Sequence, residues 1–120
     1  MADTMDNMSM AEYMEWLNTT EHKGRYGVTW KGKIKEGKME EYQAAIYKIW
    51  AEVDPKKIRE IDGLHIDIKN PNVVWAHEKW VSVAVAKQCM EEGMGREDWK
   101  KVFEYLDGAP QFAVYNLRNN

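Results

Sequence analysis

Side chains able to do proton or metal chemistry are sparse in this chain, which has only three histidines and one cysteine. His77 is the most suggestive of them. It lies in "PNVVWAHEKWVS", residues 71 to 82, with Trp75 two positions before it, Glu78 beside it and Trp80 close behind. A neutral imidazole in an apolar pocket can act as a general base. Trp30 and Trp75 would supply flat apolar walls for a ring substrate, with Ile66 and Phe103 as further lining residues. The opposing reading is a His77 hydrogen-bonded within the core and tryptophans that serve as strand packing.

The remaining candidates are weaker. His65-x-Asp67 with Glu78 has donor types suited to zinc or iron. One His and two acids on a strand face more often form a cross-strand hydrogen-bonded pair, so no metal is expected. His22, in the polar connector "NTTEHKG", reads as solvated. Cys89 sits in an apolar helical stretch and reads as a buried thiol rather than a nucleophile. As the sole cysteine it allows neither an intramolecular disulfide nor a cysteine-rich zinc site. "GKIKEGK" follows a strand but lacks the spacing of a phosphate-binding loop. No Ser-His-Asp order can be defended.

The bulk properties bound the setting. At 120 residues the chain makes one domain with room for its own core. Its net charge of -3 is small and its Lys and Arg are scattered, which argues against nucleic acid as a partner. No run is long enough to span a membrane, and "MADTMDNMSM" lacks the basic-then-apolar order of a signal peptide. A cytoplasmic setting is the simplest expectation. Six Trp and six Tyr against two Phe favour rings with a polar handle, as pockets and interfaces use.

These residues need elements to position them. Ser9 and Glu12 make a capping box for a helix over 9–19, with Met10, Tyr13, Met14 and Leu17 as its apolar side. Residues 25–34 alternate as a strand, with Tyr26, Val28, Trp30 and Ile34 on one face. A helix over 38–53 carries Tyr42, Ala45, Ile46, Ile49 and Val53 as a stripe. Asp54-Pro55 predicts one further helical turn in "DPKKIRE". "GLHIDI", residues 63–68, and "VVWAHEKW" form a hairpin around the turn cluster "KNPN". Ser82 caps a helix through about Glu92, which Gly93 and Gly95 interrupt. A last helix carries Trp99, Val102, Phe103 and Leu106, and "QFAVYNL" is a final strand.

The order is βαββαβ behind an extra N-terminal helix, so the expected class is α+β: a ferredoxin-like antiparallel sheet with helices on one face. Residues 1–23 form the leading helix and connector, and 24–120 the main domain. With a four-residue turn at 69–72, Ile68 would oppose Val73, and Leu64 would oppose His77. That register points Trp75 and His77 toward the helices. His65, Asp67, Glu78 and Trp80 then face the other way, and a turn one residue longer or shorter would reverse the assignment. The bare sheet face, with Ala76, Trp80 and Ala113 as candidate occupants, predicts a twofold homodimer packed sheet to sheet. His65, Glu78 and Trp80 are its expected contacts.

"GVTWKGKIKEGKMEEYQAAI", "IDGLHIDIKNPN" and "WAHEKWVSVAVA" resemble, in order and spacing, the antibiotic biosynthesis monooxygenase (ABM) family of dimeric α/β barrels. The matching pieces are Lys35-Glu36-Gly37-Lys38, Asp62-Gly63 and Glu78-Lys79-Trp80-Val81-Ser82, across roughly residues 24–118. Glu36 stands where the family usually has Pro. The resemblance implies a cofactor-independent oxygenase of phenol- or quinol-like substrates held between sheet and helices. The family's haem-degrading branch is disfavoured: the first strand has no Asn, Cys89 stands where that branch has Trp, and no His follows Trp80. A non-catalytic module binding a small aromatic or apolar molecule or a partner is the alternative, as is a cyclase or isomerase on the same barrel.

Overall fold

The computed structural model describes residues 7–52 and 59–117. Helix α1, Met10–Thr19, starts where the sequence signals it. Ser9 Oγ accepts from the Glu12 N–H at 3.1 Å, and the Glu12 carboxylate accepts from the Ser9 N–H at 2.8 Å. Strand β1 is Tyr26–Lys33 and helix α2 is Met39–Glu52, with Tyr42, Ile46 and Ile49 buried as one stripe. Strands β2, Arg59–Ile61, and β3, His65–Ile66, precede β4, Val73–Trp80. Helices α3, Val83–Met94, and α4, Glu97–Glu104, lead to β5, Gln111–Asn116.

The sheet is antiparallel in the order β2-β4-β1-β5, with β3 following β2 along the same edge of β4. With helices over one face, this is the α+β ferredoxin-like arrangement. The core lies between that face and the helices: Val28, Trp30, Val74, Ala76, Trp80 and Phe112 of the sheet are buried with Tyr13, Ile46, Ala86, Met90 and Val102 of the helices. Helix α1 belongs to this layer. The Tyr13 ring stacks on Phe112 at 5.0 Å, and its hydroxyl meets that of Tyr26 at 2.6 Å.

The hairpin register differs from the expected one by a single residue. His65 pairs with Trp75 and Ile66 with Val74, so the connection is longer than four residues. The Asp67 carboxylate shapes it by accepting from the Lys69 N–H at 2.8 Å, while the Val73 N–H donates to the Asn70 carbonyl. Because strand side chains alternate, one residue of slip exchanges the faces of β4. Val74, Ala76, Glu78 and Trp80 therefore lie under the helices, and Trp75 and His77 lie on the open face.

A second irregularity sits upstream. Ile61 pairs with Glu78 and His65 with Trp75, so Asp62, Gly63 and Leu64 stand against only Ala76 and His77. This is one extra residue, a bulge, and Gly63 at φ +123° takes a conformation other residues rarely adopt. The Leu64 N–H donates to the Tyr47 hydroxyl at 3.2 Å, tying the bulge to α2. The bulge inverts the alternation between β2 and β3. Arg59 and Ile61 consequently share the inner face with Ile66.

Other expectations shift locally. Of "DPKKIRE", Arg59 and Glu60 are strand, and the predicted turn at 54–58, like Val53, lies outside the described residues. Gly93 does not end α3, which runs to Met94. The Trp99 ring occupies the space a Cβ would take there, at 2.5 Å. His22 is not simply solvated: its Nε2 hydrogen-bonds the Arg25 carbonyl at 2.8 Å.

Candidate functional site

A cavity of about 90 Å³ lies between the sheet and the helical layer. A buried water needs roughly 10–15 Å³ of such space, so there is room for several waters or a small ring. The sheet contributes Val28, Trp30, Glu78 and Phe112 to its walls. Helix α2 contributes Tyr42, Ile46, Ile49 and Trp50, and α4 contributes Trp99, Val102 and Phe103. Met10 and Tyr13 of α1 are also in the lining. The apolar stripes that make these helices amphipathic are thus the same residues that enclose the hollow.

Two charges interrupt the apolar lining. Arg59 and Glu78 are 6% and 9% exposed, and Arg59 Nη1 lies 3.7 Å from Glu78 Oε2. The guanidinium carbon also sits 5.2 Å from the centre of the Trp80 ring, a cation–π contact, while Trp80 Nε1–H donates to Glu78 Oε1 at 3.1 Å. A buried ion pair has to recover a large desolvation cost, and it holds only while both partners remain. Two buried donors among the described residues have no hydrogen-bond partner, Arg59 Nη2 and Trp99 Nε1. Leaving such a donor unsatisfied costs about 1–3 kcal/mol.

Burial pushes the Tyr13 and Tyr42 hydroxyls at the cavity, and that of Tyr26 beside Tyr13, well above the ordinary tyrosine range, and the nearby Glu78 charge adds to the rise. Burial likewise pushes the Cys89 thiol up, which suits an inert thiol rather than a nucleophile.

The open face carries a separate aromatic group. The His65 ring stacks on Trp75 at 4.0 Å, the Trp75 and His77 rings are 5.0 Å apart, and Tyr115 follows at 6.2 Å. His77 Nδ1 is hydrogen-bonded to Thr29 Oγ1 at 2.7 Å, and His65 Nε2 lies 3.3 Å from Asp62. The Tyr115 ring lies against Gly27, where a Cβ would meet it at 2.3 Å. These rings are half-buried, and among the described residues no helix lies above them.

The residues expected to form one pocket therefore separate. Trp30 and Phe103 line the cavity. Trp75 and His77 stand on the opposite side of the sheet, and Ile66 is 42% exposed outside the cavity lining. Of the expected dimer contacts, His65 is on the open face, whereas Glu78 and Trp80 are enclosed within the protomer. The one-residue register difference accounts for the placement of the β4 residues Trp75, His77, Glu78 and Trp80. His65, Asp67 and Glu78 do not converge, and among the described residues no three His, Cys, Asp or Glu side chains are grouped to hold a metal. Arg59 was missed because the bulge turns it inward. Its only sequence trace is Asp62-Gly63, a dipeptide that tolerates the backbone a bulge needs.

Solved structures share this architecture. A protein from Bordetella bronchiseptica, provisionally described as an antibiotic biosynthesis monooxygenase, superposes with a TM-score of 0.65 at 15% identity, covering 79% of this chain and 98% of its own. The fold is the ABM fold. A Caulobacter crescentus protein of the same provisional description matches at TM-score 0.65 and 17% identity, over 81% of this chain and 92% of that one. A NIPSNAP family protein from Agrobacterium tumefaciens matches at 0.62 and 13%, over 84% and 92%. No protein-family profile matches the sequence, and no curated protein does. Among the described residues no helix is long and apolar enough to cross a membrane.

Proposed function

We propose that this chain belongs with the ABM proteins in function as well as fold. It binds a small phenol- or quinol-like ring in the cavity and oxygenates it without a cofactor. The observation that carries this reading is the apolar, aromatic-lined hollow with one carboxylate, Glu78, in its wall. Glu78 is the base we assign to it. Removing the ring's hydroxyl proton leaves a phenolate whose electron pair reduces oxygen. The O–O bond breaks, one oxygen atom replaces a ring C–H as a new carbonyl, and the other leaves as water with the hydroxyl proton and that C–H proton, so the ring supplies all four electrons and both protons. His77, the base expected from sequence, could serve only a ligand lying on the open face.

The same reading takes the chain as a cytoplasmic homodimer that covers the Trp75, His77 and Tyr115 rings with a second copy. It keeps residues 24–120 as the ABM-type unit, with the leading helix lending Met10 and Tyr13 to the pocket. Support comes from the half-buried rings on a sheet face that no helix covers among the described residues. Trp75→Asp should then shift the elution volume to that of a monomer.

Oxygen uptake with a panel of hydroquinones and anthrone tests the chemistry. One oxygen per ring oxidised is expected, and Glu78→Gln should lower turnover by at least about 100-fold, the usual worth of a general base. Turnover without oxygen would favour a cyclase or isomerase, and no turnover with any member would leave a binding module. Loss in His77→Ala with Glu78→Gln intact would move the site to the open face.

A further inference from the structure

Resting on the cavity reading above, we propose that Arg59 Nη2 and Trp99 Nε1 are anchors for an acceptor oxygen borne by the ligand. The cavity then selects neutral aromatic ketones and phenols over hydrocarbons of the same shape. Both side chains line the hollow, and these two nitrogens are buried without a partner among the described residues. Arginine and indole N–H groups can only donate, so each calls for an acceptor. The walls offer little: the one carboxylate, Glu78, meets Trp80 Nε1 and, through Nη1 alone, Arg59, and it reaches neither Arg59 Nη2 nor Trp99 Nε1. Buried donors are nearly always satisfied in native proteins, by protein or water. An oxygen on a ligand in the cavity would give both donors an acceptor.

Both donors are held in place by the fold. The bulge at Asp62, Gly63 and Leu64 puts Arg59 on the inner face, where the Trp80 ring and Glu78 fix its guanidinium. The Trp99 ring lies against Gly93 so closely that only glycine leaves it room. Charge narrows the ligand further. Glu78 already offsets the charge of Arg59, so a carboxylate on the ligand would bring an unpaired negative charge into a low-dielectric space. A ketone or phenol oxygen brings none.

Calorimetric titration of the full chain with naphthalene, 1-tetralone and 1-naphthoate separates the cases. The ketone should bind at least about 10-fold tighter than naphthalene, as expected where a site's donors are left unpaired by the analogue that lacks the oxygen. Naphthoate should bind more weakly than the ketone. Trp99→Phe keeps a ring against Gly93 while removing the N–H, so it should cut the ratio of ketone to naphthalene affinity severalfold, whatever the smaller ring does to both. Arg59→Lys retains a cation for Glu78 and should do the same, which provides a second route if either variant folds poorly by circular dichroism. Equal binding of ketone and hydrocarbon, with neither variant altering the ratio, overturns the anchors while the cavity reading stands. Naphthoate binding tightest overturns the selection of neutral ligands. If none of the three binds, the cavity reading falls and the anchors with it.

Discussion

Strand β4 presents two chemistries from eight consecutive residues. Its inner side, Val74, Ala76, Glu78 and Trp80, is sealed beneath helices, and its outer side, Trp75, His77 and Lys79, is half-open. The residue types alone suggest the reverse, because a carboxylate commonly faces water and a Trp-x-His pair commonly lines a pocket. What decides is the surroundings each side finds. Glu78 is tolerable inside because Arg59 and the Trp80 indole meet it there. His77 is settled outside by Thr29 and the neighbouring rings.

The sharpest way to break this contrast is to remove one member of the inner pair. Glu78→Leu leaves a buried guanidinium uncompensated and should cost about 3–5 kcal/mol in urea denaturation. A loss below about 1 kcal/mol would mean the pair is as wet as the outer face. Alkaline pH probes the same interior more gently. Tyr13, Tyr26 and Tyr42 titrate higher in the folded chain than in the unfolded one, so above pH 10.0 the unfolded state gives up protons first. The stability these phenols contribute is complete below that pH and should decline as pH rises past it, while absorbance at tyrosinate wavelengths lags until the chain opens. Flat stability from pH 10 upward would place those hydroxyls in solvent. The smallest effect is expected outside. His77→Ala loses one hydrogen bond and part of a half-exposed ring contact, and should cost no more than about 1 kcal/mol.

Much of the frame was legible beforehand because it rests on local signals. The capping box of Ser9 and Glu12, the stripe of Tyr42, Ile46 and Ile49, and the alternation of Tyr26, Val28 and Trp30 each specify an element from within a few residues. Trp30 and Phe103 reach the cavity for the same reason, since their own elements dictate which way they point. The site's polar half was not legible. Trp99 is a stripe residue whose N–H matters only because no acceptor ended up beside it.

The sequence by itself determined the kind and order of the elements, and through them an α+β sheet roofed on one side. Periodicity within an element and the chemistry of its caps need no knowledge of neighbours. Only the tertiary structure decided which residues of β4 and β2 face the roof. Side chains in a strand alternate at every residue, so one extra position in the 67–73 connection and another at the 62–64 bulge each reverse a whole face. Apart from Asp62-Gly63, nothing local to either strand records that choice, and it is what put Arg59 and Glu78 inside and His77 out.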